Sequence, residues 1–199
     1  MDSTTLVKLK EVIEVNNIRV RVNAFGAGIE YPISLDVEHD EQGTMVCIGL
    51  YSALGEALIY TKIDQSLKET IEKADLIMHN GISDMECLRS WGINVKEEQL
   101  VHDTMLIGHI IDSSRKDYGL KSMAVRELNI IYPSYDEIVG KHRGKTKKAP
   151  ACNKQQSECC GRVTLDKQSL ELVAAYNALD CFVTYKLYQL QKKVCENYV

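Results

Sequence analysis

Proline occurs at only 3 of 199 positions and glycine at 12, both scattered, which excludes fibrous and wholly disordered classes. No apolar run approaches the roughly 18 residues that a membrane helix needs. The N-terminal region also lacks the basic start and apolar block of a secretory signal, so the chain reads as neither membrane-spanning nor secreted. There is no excess of positive charge either. The formal net charge is -4, which argues against a polyanionic partner if the charge is evenly spread. A paired cysteine framework is missing too. Cys47, Cys87, Cys152, Cys159, Cys160, Cys181 and Cys195 are odd in number and irregularly spaced, so they read as free thiols in a reducing intracellular compartment, cytoplasm or nucleoid.

What is present suits a globular core: 45% of residues are hydrophobic and 26% charged, consistent with a single domain over residues 1–199. The charge is uneven. Between Lys141 and Lys167 eight lysines and arginines face only Glu158 and Asp166, leaving the remainder acidic. Residues 140–162 have almost no periodic apolar positions and read as a flexible basic loop. His142, Cys152, Cys159 and Cys160 in that loop offer zinc-ligand types, but no C-x-x-C hairpin, so they read as thiols rather than as a zinc site.

Alternation predicts a strand at 33–37 followed by an acidic turn at 38–43, then short strands at 45–51 and 57–60 joined by Leu54-Gly55, together a meander. A helix is expected at 67–74 and a buried strand at 76–78. Another helix starts at Ser83 and stops before Gly92, a C′ glycine. A strand and helix follow over 100–111, then a helix at 120–128 closed off by Pro133. From Leu170 to Val194 apolar residues recur mostly at spacings of three and four, the signature of a long helix. Antiparallel strands followed by alternating helices and strands predict a mixed α/β layer fold.

Three groups of residues carry candidate chemistry. Asp36 and Glu38 lie two apart on a strand, so both carboxylates point to one face. A calcium loop is excluded there, since Glu41 and Cys47 stand where glycine and a bidentate glutamate are required. The two acids alone read first as a surface acidic pair, and a glycosidase pair has no support elsewhere in the chain. Asp84 falls in the first turn of a helix behind a buried strand, where a carboxylate also serves as a helix cap, and Asn80 suits the preceding turn. Tyr176 and Asp180 stand four apart on the last helix and share a face.

In order along the chain, ISLDVEH, HNGISDMECL and YNALD resemble the three motifs of the DEDDy branch of the DnaQ-like 3′–5′ exonucleases, in particular the proofreading domain of family A DNA polymerases. VHDTMLIGHIIDSS and DYGLKSMAVREL are similar to the stretch between the second and third motifs. Ser83 departs from the bulky apolar residue usual before the second-motif acid, and the loop at 140–162 is longer than usual. The histidine branch would need His five residues before Asp180, where Ala175 stands.

The resemblance implies a ribonuclease H-like α/β fold, a mixed sheet flanked by helices. It also implies an active exonuclease using two Mg²⁺ or Mn²⁺ ions, an arrangement that activates water and neutralises the leaving oxygen. On that pattern Asp36, Glu38, Asp84 and Asp180 are the metal ligands, with Asp36 bridging, and Tyr176 orients the attacking water. His39 and Asn80 contact the terminal nucleotide. The implied substrate is a single-stranded 3′ end, DNA in the first instance, released as 5′-nucleotides. A ribonuclease D-like RNA exonuclease and a catalytically silent nucleic-acid-binding module are the alternatives. The basic loop would attract the strand, and a separately encoded polymerase is a candidate partner in replication or repair.

Overall fold

The computed structural model describes residues 3–140 and 163–197. The basic loop predicted at 140–162, with His142, Cys152, Cys159 and Cys160, lies beyond Gly140 outside the described residues. The chain begins with helix α1 (Ser3–Val15) and strand β1 (Arg19–Val22). The sequence reading missed both, although Leu6, Leu9, Val12 and Ile13 keep helical spacing and pack against the core. The meander follows as β2 (Ile33–His39), β3 (Met45–Tyr51) and β4 (Glu56–Tyr60). Strand β2 runs two residues beyond the expected Val37, so Glu38 lies on the strand rather than in the turn.

Helix α2 (Gln65–Lys73) starts two residues earlier than expected because the Asp64 side chain accepts from the Leu67 amide at 2.8 Å. Strand β5 (Leu76–Met78) leads into helix α3 (Gly81–Ser90), and β6 (Leu100–Asp103) into helix α4 (Thr104–Ile111). At the end of α3, Gly92 has φ +78° and the Ile93 amide returns to the Leu88 carbonyl at 3.0 Å, a Schellman closure on the glycine the sequence marked. Helix α5 (Leu120–Leu128) has the expected span, closed by Asn129 in the left-handed conformation, φ 55°, ahead of Pro133. A short helix α6 (Tyr135–Val139) precedes helix α7 (Leu170–Glu196). None of the described helices is long and apolar enough to cross a membrane.

The six strands form one mixed sheet in the order β1-β4-β3-β2-β5-β6. The β2, β3 and β4 contacts are antiparallel, while β1 joins β4, and β5 and β6 extend β2, in parallel. Alternation sorts the strands between two cores. Ile33, Leu35, Val37, Ile48, Leu50 and Leu58 face α2 and α3, whereas Cys47, Tyr51, Ala57, Ile59 and Ile77 face α7. Helix α7 is buried almost without interruption from Leu172 to Tyr185 and lies across β3 and β2, with α1, α4 and α5 packed around it.

The closest approach falls at Gly49 on β3, the register partner of Asp36. A Cβ there would overlap Asn177 Oδ1 and come within 2.7 Å of Cys181 Sγ. The Ser34 hydroxyl, next along that face of β2, donates to the Cys181 carbonyl at 2.7 Å and ties strand to helix. Gly49→Ala should therefore push α7 off the sheet, costing about 1–3 kcal/mol as overpacking. Chemical denaturation will show a lowered midpoint, and an unchanged midpoint would mean that the helix shifts freely.

Candidate active site

On β2 the period of two turns Ser34, Asp36 and Glu38 toward α7 while Leu35 and Val37 enter the opposite core. The register slips between Glu38 and His39, a bulge that ends the alternation directly after the second acid. Helix α7 supplies Tyr176 and, one turn on, Asp180, both buried. One carboxylate oxygen from each of Asp36, Glu38 and Asp180 lies within 4.8 Å of the other two. Such hard oxygen donors fit Mg²⁺ or Mn²⁺ and not a thiolate-seeking metal. Asp84, in the first turn of α3, is not a member of this cluster, yet its charge acts on both Asp36 and Glu38.

Burial and mutual repulsion resist ionisation of these acids. Asp36 is pushed well above the ordinary carboxyl range by burial first, then by Glu38, Asp180 and Asp84. Glu38 rises to about 8, again from burial and then the charge of Asp180. Asp84 also rises to about 8, from burial and the charges of Asp103 and Asp180. The Tyr176 phenol is driven above its usual value by burial and the same acids, so its hydroxyl stays protonated.

Side chains that the sequence reading did not single out hold the acids in place. Asn177 Nδ2 donates to Asp36 Oδ2 at 2.7 Å, while its Oδ1, pressed over Gly49, has no hydrogen-bond partner among the described residues. The Tyr132 hydroxyl donates to Asp180 Oδ1 at 2.6 Å, and the Lys121 ammonium bonds to the same oxygen. Lys121 Nζ also lies 4.0 Å from the ring centre of Tyr132 and 4.2 Å from that of Tyr176.

Helix α3 starts at Gly81 rather than at Ser83 because Asp103 reaches across from the end of β6. Its carboxylate accepts from the Asn80 and Gly81 amides at 3.2 and 2.8 Å, and from Met105 and Leu106 of α4. Of these residues only Asp103 carried a local signal, the Asp-Thr of VHDT directly before a helix. Lys121 lies within DYGLKSMAVREL and Asn177 within YNALD, but neither string says which way the side chain points.

His39 and Asn80 are both exposed, and among the described residues no side-chain hydrogen bond joins either of them to Asp36, Glu38 or Asp180. The His39 ring Nδ1 is 2.8 Å from the Asp40 carbonyl oxygen. Asn80 holds the left-handed N-cap of α3, φ 60°, with no capping bond from its side chain. Beside Asp180 an open cleft of about 360 Å³ is lined by Lys121, Ser122, Ser134, Tyr135 and Tyr176.

Comparison with known proteins identifies the family. The 3′–5′ exonuclease family model, that of the family A DNA polymerase type, matches residues 21–195. The chain belongs to the 3′–5′ exonuclease family. It is thus a 3′–5′ exonuclease hydrolase, of a family that depends on divalent metal.

Among solved structures, Brucella melitensis NrnC superposes with TM-score 0.59 at 14% identity, over 90% of this chain and 82% of that one. The same protein with bound Mg²⁺ gives TM-score 0.57 at 17% identity over the same shares. These likenesses establish the ribonuclease H-like mixed sheet with flanking helices. No curated protein matches the chain.

The raised carboxyls set the sign of a pH effect. Glu38 and Asp84 hold protons up to about pH 8 in the folded, metal-free exonuclease and only up to about pH 4 when unfolded. The native state then binds more protons across that window, and stability falls as pH rises through it. Differential scanning calorimetry in EDTA should show the melting temperature declining from about pH 5 to 8, with Mg²⁺ reducing the decline. A metal-free melting temperature that climbs over this range would refute the arrangement.

Proposed function

We propose that this exonuclease removes 5′-nucleotides from single-stranded DNA 3′ ends in a reaction supported by two Mg²⁺ or Mn²⁺ ions. The observation that carries the reading is the carboxylate cluster of Asp36, Glu38 and Asp180 with Tyr176 one helical turn before Asp180. Asp36, Glu38 and Asp180, with Asp84 nearby, would hold the ions. Bound there, divalent ions would supply an activated water and neutralise the leaving oxygen. The water oxygen bonds to the terminal phosphorus as the bond from phosphorus to the 3′ oxygen breaks; the water gives up a proton, the 3′ oxygen gains one from solvent, and a nucleoside 5′-monophosphate is freed.

The protein's own residues position the reactants. The Tyr176 phenol, kept protonated, donates or accepts a hydrogen bond and so orients the water without acting as its base. Asn177 fixes Asp36, and Tyr132 fixes Asp180, so neither ligand spends binding energy on finding its rotamer. The open cleft beside Asp180 admits a strand end, and His39 and Asn80 are assigned to the terminal nucleotide. The DNA assignment follows the polymerase type of the family model.

Matched labelled DNA and RNA single strands, incubated with Mg²⁺ or Mn²⁺, test the reading. DNA should shorten from its 3′ end with release of mononucleotides, and preferential shortening of RNA would transfer the activity to that polymer. Asp36→Ala and Asp180→Ala should abolish turnover together with the rise in melting temperature that the ions produce. Tyr176→Phe should keep that rise while lowering kcat about a hundredfold, the scale of a lost water-positioning group. Full activity of Asp180→Ala would remove the carboxylate cluster from the chemistry.

A further inference from the structure

Lys121 brings a positive charge to the carboxylate cluster from α5, outside all three of the motifs that supply the acids. Its ammonium shares Asp180 Oδ1 with the Tyr132 hydroxyl and is flanked by the rings of Tyr132 and Tyr176 at 4.0 and 4.2 Å. Its side chain is 25% exposed, against 9% for Asp180, so it stands between the cluster and the cleft. Its charge also reaches Asp36 and Glu38, easing their ionisation. An exposed ion pair on a mobile lysine contributes little, but this one has two aromatic walls and a neighbouring hydroxyl to keep it in place.

That placement conflicts with the use of the site. An ammonium and a divalent ion at the same carboxylate are like charges a few ångströms apart, in surroundings where water screens them poorly. Both cannot keep full contact with Asp180. The Tyr132 hydroxyl is neutral and has no such conflict. The exposed side of Lys121 faces the cleft, and the long alkyl stem allows the ammonium to withdraw there.

We propose that Lys121 is a tethered counter-ion of the cluster, bonded to Asp180 while metal is absent and displaced toward the cleft when a divalent ion binds. This rests on the proposed metal-dependent function and deepens it, because it makes Lys121 a positioning residue that competes with the metal. The same side chain holds the empty cluster together and limits how tightly the ion is held.

Isothermal titration of the full chain with Mn²⁺, paired with melting curves, tests the competition. Lys121→Met should bind Mn²⁺ about tenfold more tightly than the unaltered protein. It should also melt lower without metal and equally with saturating Mn²⁺. Lys121→Arg, which keeps the charge, should bind Mn²⁺ far less tightly than Lys121→Met does. A merely structural lysine gives the opposite result, since its loss would loosen the cluster and weaken the ion. Equal or weaker Mn²⁺ binding by Lys121→Met therefore overturns the proposal.

Should that variant fail to fold without metal, Lys121→Gln keeps a donor to Asp180 and carries the same expectation and the same refutation. If the unaltered protein neither binds Mn²⁺ nor shortens nucleic acid, it is the proposed function that fails. If it does both and the Lys121 variants bind no tighter, only the counter-ion role is lost.

Discussion

Like charges held close together away from water are the constraint around which this structure is arranged. Asp36, Glu38 and Asp180 stand within 4.8 Å of one another, and left to themselves they would move apart or take up protons. They cannot move apart, and without metal Asp36 and Glu38 hold on to their protons instead. Asp36 and Glu38 are fixed by a strand in the middle of the sheet, and Asp180 by the most deeply buried stretch of α7. The sheet and the helix thus act as a clamp that concentrates negative potential where a cation is wanted, and the core supplies the force that keeps it closed.

Helix α7 unites core and chemistry. Its residues Val173, Leu179, Phe182 and Val183 pack on the sheet, while Tyr176, Asn177 and Asp180 turn to the acids of β2. On the facing strand Gly49, opposite Asp36 in register, leaves the room for the helix to come so near. Asn177 occupies the resulting gap, and its Oδ1, unpaired among the described residues, is a polar cost offset by the fixed orientation of Asp36. Stability and function are consequently coupled through the same few contacts.

Much of this was legible in the sequence, for reasons that can be located. Strands β2 and β3 and helix α7 announced themselves by periodicity and β5 by a short apolar run, and the spacing of Asp36 and Glu38 placed both on one face. Gly92 marked a helix end because only a glycine turns there without strain. The misses share another cause. Helix α1 is much shorter than α7, so its apolar spacing repeats too few times to stand out, and β1 is a short, largely exposed edge strand.

Asn129, not the more conspicuous Pro133, stops α5, because a left-handed asparagine closes a helix as effectively as a proline forbids one. The start of α3 was misplaced because its cap comes from Asp103, twenty-two residues away from Gly81. Lys121 and Tyr132 likewise meet Asp180 only in three dimensions, across 59 and 48 residues of chain. Local patterns report what an element is. They do not report which side chain will arrive from elsewhere to complete it.

Asp103 itself has a wider effect. By accepting amides from the beginnings of both α3 and α4, this one buried side chain pins two helices to a common point beside β5 and β6. That wall of the site is cross-braced by one carboxylate, and Asp84 is carried on it. On the other side, α5 and the Tyr132 segment reach Asp180 through the Lys121 and Tyr132 side chains, without a comparable brace between backbones.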